Sequence, residues 1–207
     1  MPEDNRVRYE MLKRLGFFVT ESSEHFSEYT PWFIKRDRPD LIDEFNIPLD
    51  EYITRCEKQI SEWDEQRINL ENKNQSIEVC QSHEYAASII NGLENDKEVT
   101  INGNVSNDGL IDNLPGNISV EVPCIINRNG IQPVKVGIIP THLAALMMTN
   151  INVQQLTVEA ALSGEKKHVY HAAMLDPLTA ANLSIEEIYK MTDKLIEAHG
   201  SFLPKYN

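Results

Sequence analysis

The amino-acid sequence predicts an α+β fold in which helices cover a small antiparallel sheet. Three observations support this prediction: helical periodicity near both ends of the chain, two β-rich segments in the middle, and an Asn129-Gly130 pair between those segments. Asn-Gly between two such segments is a strong hairpin signal, and the strands of a hairpin are antiparallel. The length of 207 residues fits one large domain or two small ones, and we treat residues 1–207 as one domain.

The first predicted helix covers residues 6–15. Val7, Met11 and Leu15 are four positions apart, so they share one face of a helix. Gly16 follows them and is a natural stop, because glycine readily adopts the left-handed conformation that ends many helices. The sequence therefore predicts a short amphipathic helix at the start of the chain.

A long amphipathic helix is predicted after a polar, aromatic segment at residues 20–29 and a loop that contains Pro31 and Pro39. Its apolar stripe has steps of four and three and is interrupted only by Arg67. The stripe consists of Leu49, Ile53, Cys56, Ile60, Trp63 and Leu70. Such a stripe is more often core or subunit contact than a cofactor site. A second helix is expected at about residues 82–93.

The middle of the chain predicts the sheet. Residues 99–115 indicate a short strand followed by turns, and residues 118–126 and 131–139 are expected to form the two strands of the hairpin. Pro123 and Pro133 suggest that these strands lie at a sheet edge or carry bulges, because proline cannot donate a hydrogen bond to a neighbouring strand.

Three helices are predicted after the sheet. The first begins at Pro140 and ends before Gly164, and the second covers about residues 165–175. The third begins with a capping box, Ser184-Ile185-Glu186-Glu187, and ends at Gly200. Its expected apolar face consists of Ile188, Met191 and Leu195.

Charge and cysteine content narrow the function classes. The net charge of −13 argues against nucleic acid and anionic membrane surfaces as partners, since both are negatively charged. The acidic start at residues 1–4 is unlike a leader, and no apolar stretch reaches the ~20 residues that a spanning helix needs. Three scattered cysteines fit a reducing compartment. We therefore expect a soluble, cytoplasmic protein.

Most familiar catalytic motifs are missing from the sequence. No Gly-x-Gly-x-x-Gly, Walker loop, nucleophile elbow or Cys-x-x-Cys occurs in the 207 residues. Cys80 and His83 have a spacing that could hold a metal, but they supply two ligands where most zinc sites need three or four. We predict no metal-ligand set, and we interpret His142, His168 and His171 as ordinary surface or core histidines.

The densest polar cluster contains Glu24, His25, Glu28 and Tyr29. Carboxylates and an imidazole can bind sugar hydroxyls, and the nearby aromatic rings can stack on a pyranose. The alternative is a capped helix whose polar face meets water. Arg8-Tyr9 is also open to two interpretations: a nearby cation favours the phenolate form of a tyrosine, or the two residues form an ordinary stacked surface pair.

Several stretches of the sequence resemble the α-galactosidase (melibiase) branch of glycoside hydrolase family 4. The stretches that carry this resemblance are residues 7–12, 16–25, 27–33, 107–115, 120–123, 158–161 and 176–179. They read VRYEML, GFFVTESSEH, SEYTPWF, NDGLIDNLP, VEVP, VEAA and DPLT, respectively. The resemblance implies the C-terminal domain of lactate/malate dehydrogenase-like family 4 glycosidases.

The resemblance also implies a cofactor-dependent reaction. Family 4 enzymes are described as using NAD and a divalent metal, usually manganese: the C3 hydroxyl is oxidised, a base removes the C2 proton, the glycosidic bond is eliminated, water adds and the hydride returns. Tyr9 falls near the family's tyrosine base, and Arg8 beside it would orient the substrate. Glu24 and His25 would line the sugar pocket, and Asn107 would lie near it.

In the family, the metal-binding Cys and His, the glycine-rich loop and the acid carboxylate precede the region that this chain resembles. The first hypothesis is therefore the C-terminal portion of an NAD- and Mn²⁺-dependent α-galactosidase, inactive and without bound cofactor when alone. Its expected partners are an α-galactoside, an N-terminal Rossmann half and further copies of the chain. The rival hypothesis is a non-catalytic carbohydrate-binding or assembly module, and a third is a half-gene without function.

Overall fold

The computed structural model describes residues 3–72, 80 and 82–207. These residues divide into two compact units. Unit 1 contains the described residues of 1–47, 106–120 and 135–207, and unit 2 contains those of 48–105 and 121–134.

The described residues form nine α-helices and three strands. In chain order the helices are α1 (Arg6–Leu15), α2 (Ser23–Glu28), α3 (Asp40–Phe45), α4 (Glu51–Glu71), α5 (Ala86–Asn95), α6 (Thr141–Ser163), α7 (Lys166–Leu175), α8 (Pro177–Asn182) and α9 (Ile185–His199). The strands are β1 (Val99–Ser106), β2 (Ser119–Asn127) and β3 (Gly130–Pro133). Helices and a small sheet confirm the predicted α+β class.

An apolar cluster at the start of the chain forms a core of unit 1. It consists of the buried residues Val7, Met11, Phe26, Phe33 and Ile47. The predicted first helix is confirmed, since Val7 and Met11 face this cluster and Gly16 ends α1 with a φ of 77°. The short helix α3 was not predicted, because the sequence around Pro39 indicated only a loop.

Two of the capping residues predicted for the helices that close the chain are confirmed. Gly164 ends α6 in the left-handed conformation, and both hydrogen bonds of the capping box are present at Ser184. Asp176 ends α7 and caps α8, because its Oδ1 accepts a hydrogen bond of 2.7 Å from the backbone N–H of Thr179. Helix α8 was not predicted. On the expected apolar face of α9, Ile188 is buried, whereas Leu195 is 49% exposed.

Segment 34–36 is tied to the closing helices by side chains. The Arg36 backbone N–H donates to Oδ1 of Asn182 over 2.7 Å, and Nδ2 of Asn182 donates to the Ile34 carbonyl over 3.0 Å. The Arg36 guanidinium also lies 2.8 Å from Oε1 of Glu187 in α9. Early and late parts of the sequence are thus held together in unit 1.

The strands form one sheet in the order β1-β2-β3. The predicted hairpin is confirmed, because β2 and β3 are antiparallel with Asn127 opposite Gly130. The returning strand is shorter than predicted and ends at Pro133. Pro133 lies in an edge strand as expected, whereas Pro123 lies in β2, which has a neighbour on each side. Pro123 still contributes its carbonyl, which accepts a hydrogen bond of 2.8 Å from Val134.

The long helix α4 in unit 2 has no buried residue. The predicted helix is confirmed from Glu51 onward, so Leu49 of the expected stripe precedes it. The apolar stripe does not form core in the part of the chain that the structure describes. Ile60 is 75% exposed and Trp63 is 56% exposed. The second helix, α5, begins at Ala86, four residues later than predicted. Among the described residues, no helix is long and apolar enough to cross a membrane.

Candidate functional site

Arg8 and Tyr9 lie on α1 and share an aromatic neighbour. The guanidinium carbon of Arg8 is 4.4 Å from the centroid of the Phe18 ring, and the Tyr9 ring meets the same ring edge-on at 5.8 Å. Nε of Arg8 donates to the Val19 carbonyl and Nη1 donates to Oδ1 of Asn5, each over 2.8 Å. One guanidinium nitrogen therefore holds the segment after α1, and a second holds Asn5 directly before the helix.

Phe18 is the residue of this group that sequence reasoning missed. It follows the helix stop at Gly16, and its adjacent aromatic, Phe17, packs against the His142 ring at 6.1 Å. Nε2 of His142 lies 3.0 Å from the Leu15 carbonyl, so this histidine contacts the end of α1. The signal that the sequence offered was a pair of adjacent aromatics directly after a helix stop.

Glu24, His25 and Glu28 lie together on α2. Ser22 caps this helix, because its Oγ accepts a hydrogen bond of 3.1 Å from the backbone N–H of His25. Nδ1 of His25 lies 3.1 Å from Oε2 of Glu28, and the Tyr29 ring stacks on the imidazole at 6.1 Å. The structure thus combines both interpretations of the segment: α2 is capped, and its polar side chains are grouped.

The acidic residues around His25 raise the pKa of its imidazole. The hydrogen bond to Glu28 raises the pKa of His25 above its ordinary value of 6.5, and the charges of Glu24 and Glu21 act in the same direction. Burial raises the pKa of Tyr29, and the charges of Glu21 and Glu28 raise it further. A protonated His25 can donate hydrogen bonds, while the carboxylates accept them.

The same three side chains could hold a cation. One ligand atom from each of Glu24, His25 and Glu28 lies within 4.8 Å of the others, which the sequence analysis did not predict. Carboxylate oxygens suit Mn²⁺, and imidazole can complete such a set. Hydrogen-bond donors and acceptors in this arrangement suit sugar hydroxyls as well.

The side chain of Asn107 holds a turn of unit 1. Its side chain is 1% exposed, and its Nδ2 donates to the carbonyls of Ile111, Leu114 and Pro115 at 3.0–3.1 Å. Its Oδ1 accepts a hydrogen bond of 2.7 Å from the Ile111 backbone. The amide is occupied by the turn at residues 107–115, which it holds in shape.

Other candidates are not brought into the site. A cavity of about 340 Å³ in unit 1 lies against α6 and is lined by residues that include Asn117 and Gln155, but by none of the predicted site residues. Between Cys80 and His83, Gln81 lies outside the described residues. The rings of His168 and His171 contact each other edge-on at 6.0 Å.

Comparison with known families identifies the chain. The sequence profile of the family described as "Family 4 glycosyl hydrolase C-terminal domain" matches residues 1–179. The chain belongs to this family. An α-galactosidase of Bacillus subtilis (strain 168) is 50% identical over 200 residues, which cover 97% of this chain and 46% of that protein. An α-galactosidase of Rhizobium meliloti (strain 1021) is 33% identical, over 99% of this chain and 43% of its own length.

The family fold is also seen in solved structures. A crystal structure of a 6-phospho-α-glucosidase from gut microorganisms, in complex with NAD and Mn²⁺, matches 97% of this chain with a TM-score of 0.70 and 19% identity. That match covers 44% of the glucosidase. The chain thus spans less than half the length of these two α-galactosidases.

The described residues offer no fit for NAD. Dinucleotide folds hold the pyrophosphate at a glycine-rich turn between a strand and a helix. In residues 3–72, 80 and 82–207, β3 is the strand that a helix follows directly, and the connection at residues 134–140 contains a single glycine, Gly137. We therefore assign no step of a reaction to NAD within this family 4 domain.

Proposed function

We propose that this chain is the substrate-side part of an NAD- and Mn²⁺-dependent α-galactosidase that hydrolyses α-galactosides. The observation that carries the proposal is 50% identity with the Bacillus subtilis α-galactosidase over 97% of the chain. NAD and Mn²⁺ would be held by a second, Rossmann-type half, and the chain alone would be inactive. We also place it in the cytoplasm, which its three free cysteines support.

Tyr9 is the proposed base. In this assignment its phenolate oxygen takes the proton from C2 of the sugar, which requires hydrogen-bond reach to that position. Contact with Phe18 fixes the plane of the Tyr9 ring, and Arg8 is fixed by the same ring. The pair would thus present one proton acceptor and one cation in a set orientation, as a substrate-binding surface requires.

Glu24 and His25 are the proposed sugar-binding residues. The imidazole with its raised pKa can donate to a hydroxyl oxygen, and the Glu24 carboxylate can accept from a hydroxyl proton. We assign this group to sugar rather than metal, because the resemblance places the metal-binding Cys and His in the other half. Asn107 would act indirectly, by holding the turn at residues 107–115 in shape.

The test is a reconstitution assay. The chain is produced alone and together with the NAD-binding half of the Bacillus subtilis α-galactosidase, and each sample is given NAD, Mn²⁺, a reductant and an aryl α-galactoside. We expect turnover only in the combined sample. Turnover of an aryl 6-phosphoglucoside but not of the galactoside would overturn the substrate assignment. Binding of galactoside without any turnover would favour the carbohydrate-binding module instead.

A further inference from the structure

Helix α6 carries a line of three side chains at intervals of four residues. These are His142, Leu146 and Asn150, and we call them the α6 strip. Residues four apart lie on the same face of a helix, so the three side chains point in one direction. Within unit 1 the first contacts the end of α1, the second contacts the apolar cluster and the third contacts the end of α2.

The strip begins at the end of α1. Leu15 is the last residue of this helix, and its carbonyl is among the four at a helix end that have no partner within the helix. Nε2 of His142 lies 3.0 Å from this carbonyl oxygen. Because a carbonyl oxygen only accepts, Nε2 must carry the hydrogen that is donated. His142 therefore ties the end of α1 to the first turn of α6.

His142 is also connected to the proposed base through two aromatic residues. Its ring contacts Phe17 at 6.1 Å, and Phe17 directly precedes Phe18 in the chain. The Phe18 ring meets the Tyr9 ring at 5.8 Å and lies 4.4 Å from the guanidinium carbon of Arg8. Loss of the His142 ring would therefore loosen the segment that orients Tyr9.

The strip ends at the end of α2. Tyr29 directly follows Glu28, the last residue of α2, and its carbonyl oxygen accepts a hydrogen bond of 3.2 Å from Nδ2 of Asn150. The ring of the same tyrosine stacks on the His25 imidazole at 6.1 Å. Asn150 thus holds the backbone of the residue whose ring covers one face of the proposed sugar-binding imidazole.

Between the two ends of the strip, Leu146 packs against the apolar cluster of unit 1. Val7 and Met11 of this cluster belong to α1, and Phe26 belongs to α2. The middle of the strip therefore lies against a core to which both helices contribute.

The strip sets the distance between the two helix ends. An α-helix rises ~1.5 Å per residue, so the interval from His142 to Asn150 spans about 12 Å. The proposed base lies on α1, and the proposed sugar-binding residues lie on α2. The separation of these two parts of the site thus depends on side chains of a third helix.

From these contacts we propose that His142 and Asn150 are positioning residues of the α-galactosidase reaction. They act through the ends of α1 and α2, and they fix the proton acceptor on one helix relative to the sugar-binding side chains on the other. A displacement of about 1 Å that originates far from the reacting atoms can cost about 10²-fold in rate. The proposal rests on the proposed function, since it assigns both residues a role in the same site.

The first test measures geometry in the chain alone, so its result does not depend on activity. Cross-peaks between ring protons in NMR spectra report two distances. One joins the rings of Tyr9 and Phe18, and the other joins the rings of His25 and Tyr29.

Two alanine variants should affect these cross-peaks differently. His142→Ala should weaken the cross-peak on α1 and leave that on α2, and Asn150→Ala should do the reverse. Asn152→Ala is the matched control and should change neither, because this exposed amide of α6 lies two positions from Asn150 and so on another face. Circular dichroism should show the helix content of the parent chain in each variant. Unchanged cross-peaks in both test variants would overturn the proposal.

The second test measures kinetics in the reconstituted enzyme. His142→Ala should lower kcat by about 10–10²-fold because it disturbs the base. Asn150→Ala should mainly raise KM because it disturbs sugar binding, and Asn152→Ala should match the parent. His142→Gln keeps an N–H donor and should recover most of the lost kcat, which a role in stability alone does not require.

The outcomes separate this proposal from the proposed function. A parent enzyme without turnover would defeat the proposed function and the positioning role with it. An active parent whose kcat and KM match those of His142→Ala and Asn150→Ala would defeat the positioning role alone.

Discussion

The guanidinium of Arg8 lies over the ring of Phe18, with Cζ 4.4 Å from the ring centroid. Phe18 also contacts Tyr9, so one ring that follows the helix stop sets the positions of both proposed substrate-side residues. Arg8 in turn bonds to the Val19 carbonyl. Helix α1 and the segment after it therefore act as one unit in orienting the cation and the phenol.

Removal of the hydroxyl of the proposed base, Tyr9, should lower kcat strongly. In the reconstituted enzyme, Tyr9→Phe keeps the contact with Phe18 but removes the proton acceptor. We expect kcat to fall by about 10²–10⁴-fold with little change in KM, as for other general bases. Exchange of the sugar C2 hydrogen with deuterated solvent should fall equally, and Tyr85→Phe, at an exposed site on unit 2, should change neither. Parent-level exchange in Tyr9→Phe would remove Tyr9 as the base.

The role of Arg8 predicts a different kinetic pattern. Lysine keeps the charge in Arg8→Lys but cannot bond to Val19 and Asn5 with one planar group. We expect KM to rise about tenfold, which is about 1.4 kcal/mol, while kcat changes little. Steady-state kinetics on an α-galactoside would show this. If kcat falls and KM stays constant, Arg8 acts on the reaction step rather than on substrate position.

Asn107 is expected to govern stability. Asn107→Ala would leave the buried Ile111 N–H and three carbonyls without their side-chain partner. A buried polar group without a partner costs about 1–3 kcal/mol, so we expect the free energy of unfolding to drop by at least about 2 kcal/mol in urea titrations. The matched change Asn104→Ala, at an exposed position of β1, should cost less than about 0.5 kcal/mol. Equal losses in the two variants would contradict the role of the turn.

The His25 group predicts a pH dependence. Because the pKa of His25 is raised in the folded state, protonation stabilises the fold below the ordinary value of 6.5, and this contribution disappears as the pH rises through the folded-state pKa. An NMR titration of His25 should show the raised pKa. Glu28→Gln should lower it most, since Glu28 provides the hydrogen bond, and Glu24→Gln should lower it less. The reverse order would show that charge, rather than the hydrogen bond, dominates.

Glu187 predicts sensitivity to acid. Hydrogen bonds from the Ser184 backbone, the Arg36 guanidinium and the Ser184 hydroxyl lower the pKa of Glu187 to about 2. The carboxylate therefore stabilises the fold above about pH 4.5, and that contribution is lost as the pH falls toward about 2. Thermal melts of the parent chain and of Glu187→Ala should differ at pH 6 and converge near pH 2. A difference that is constant with pH would contradict this.

Local signals predicted much of the fold because each has a short-range cause. Gly16 and Gly164 end helices through their own backbone conformation, and the capping box at Ser184 satisfies groups within four residues. The hairpin at Asn129-Gly130 is equally local. The predicted length of β3 was wrong, because strand pairing beyond Pro133 depends on neighbouring segments that no local pattern reveals.

Longer-range features were harder to predict. The α4 stripe was expected to be core or subunit contact, and periodicity alone could not say that the chain leaves it exposed. The resemblance to the family predicted Tyr9 and Arg8 as site residues. It did not predict that Phe18 contacts both of them, which only the structure shows. Asn107 was expected near the sugar as a binding residue. In the structure its side-chain amide donates hydrogen bonds to backbone carbonyls up to eight residues away.

The division of unit 1 among three sequence stretches has a consequence for synthesis on the ribosome. The cluster that includes Val7 and Phe26 is packed by Leu146, about 100 residues after Ile47. At ~5–20 residues per second, roughly 5–20 s separate the emergence of these apolar side chains from that of Leu146. During that interval the cluster lacks one of the side chains that pack it, so we expect production in cells to benefit from a chaperone that shields nascent chains.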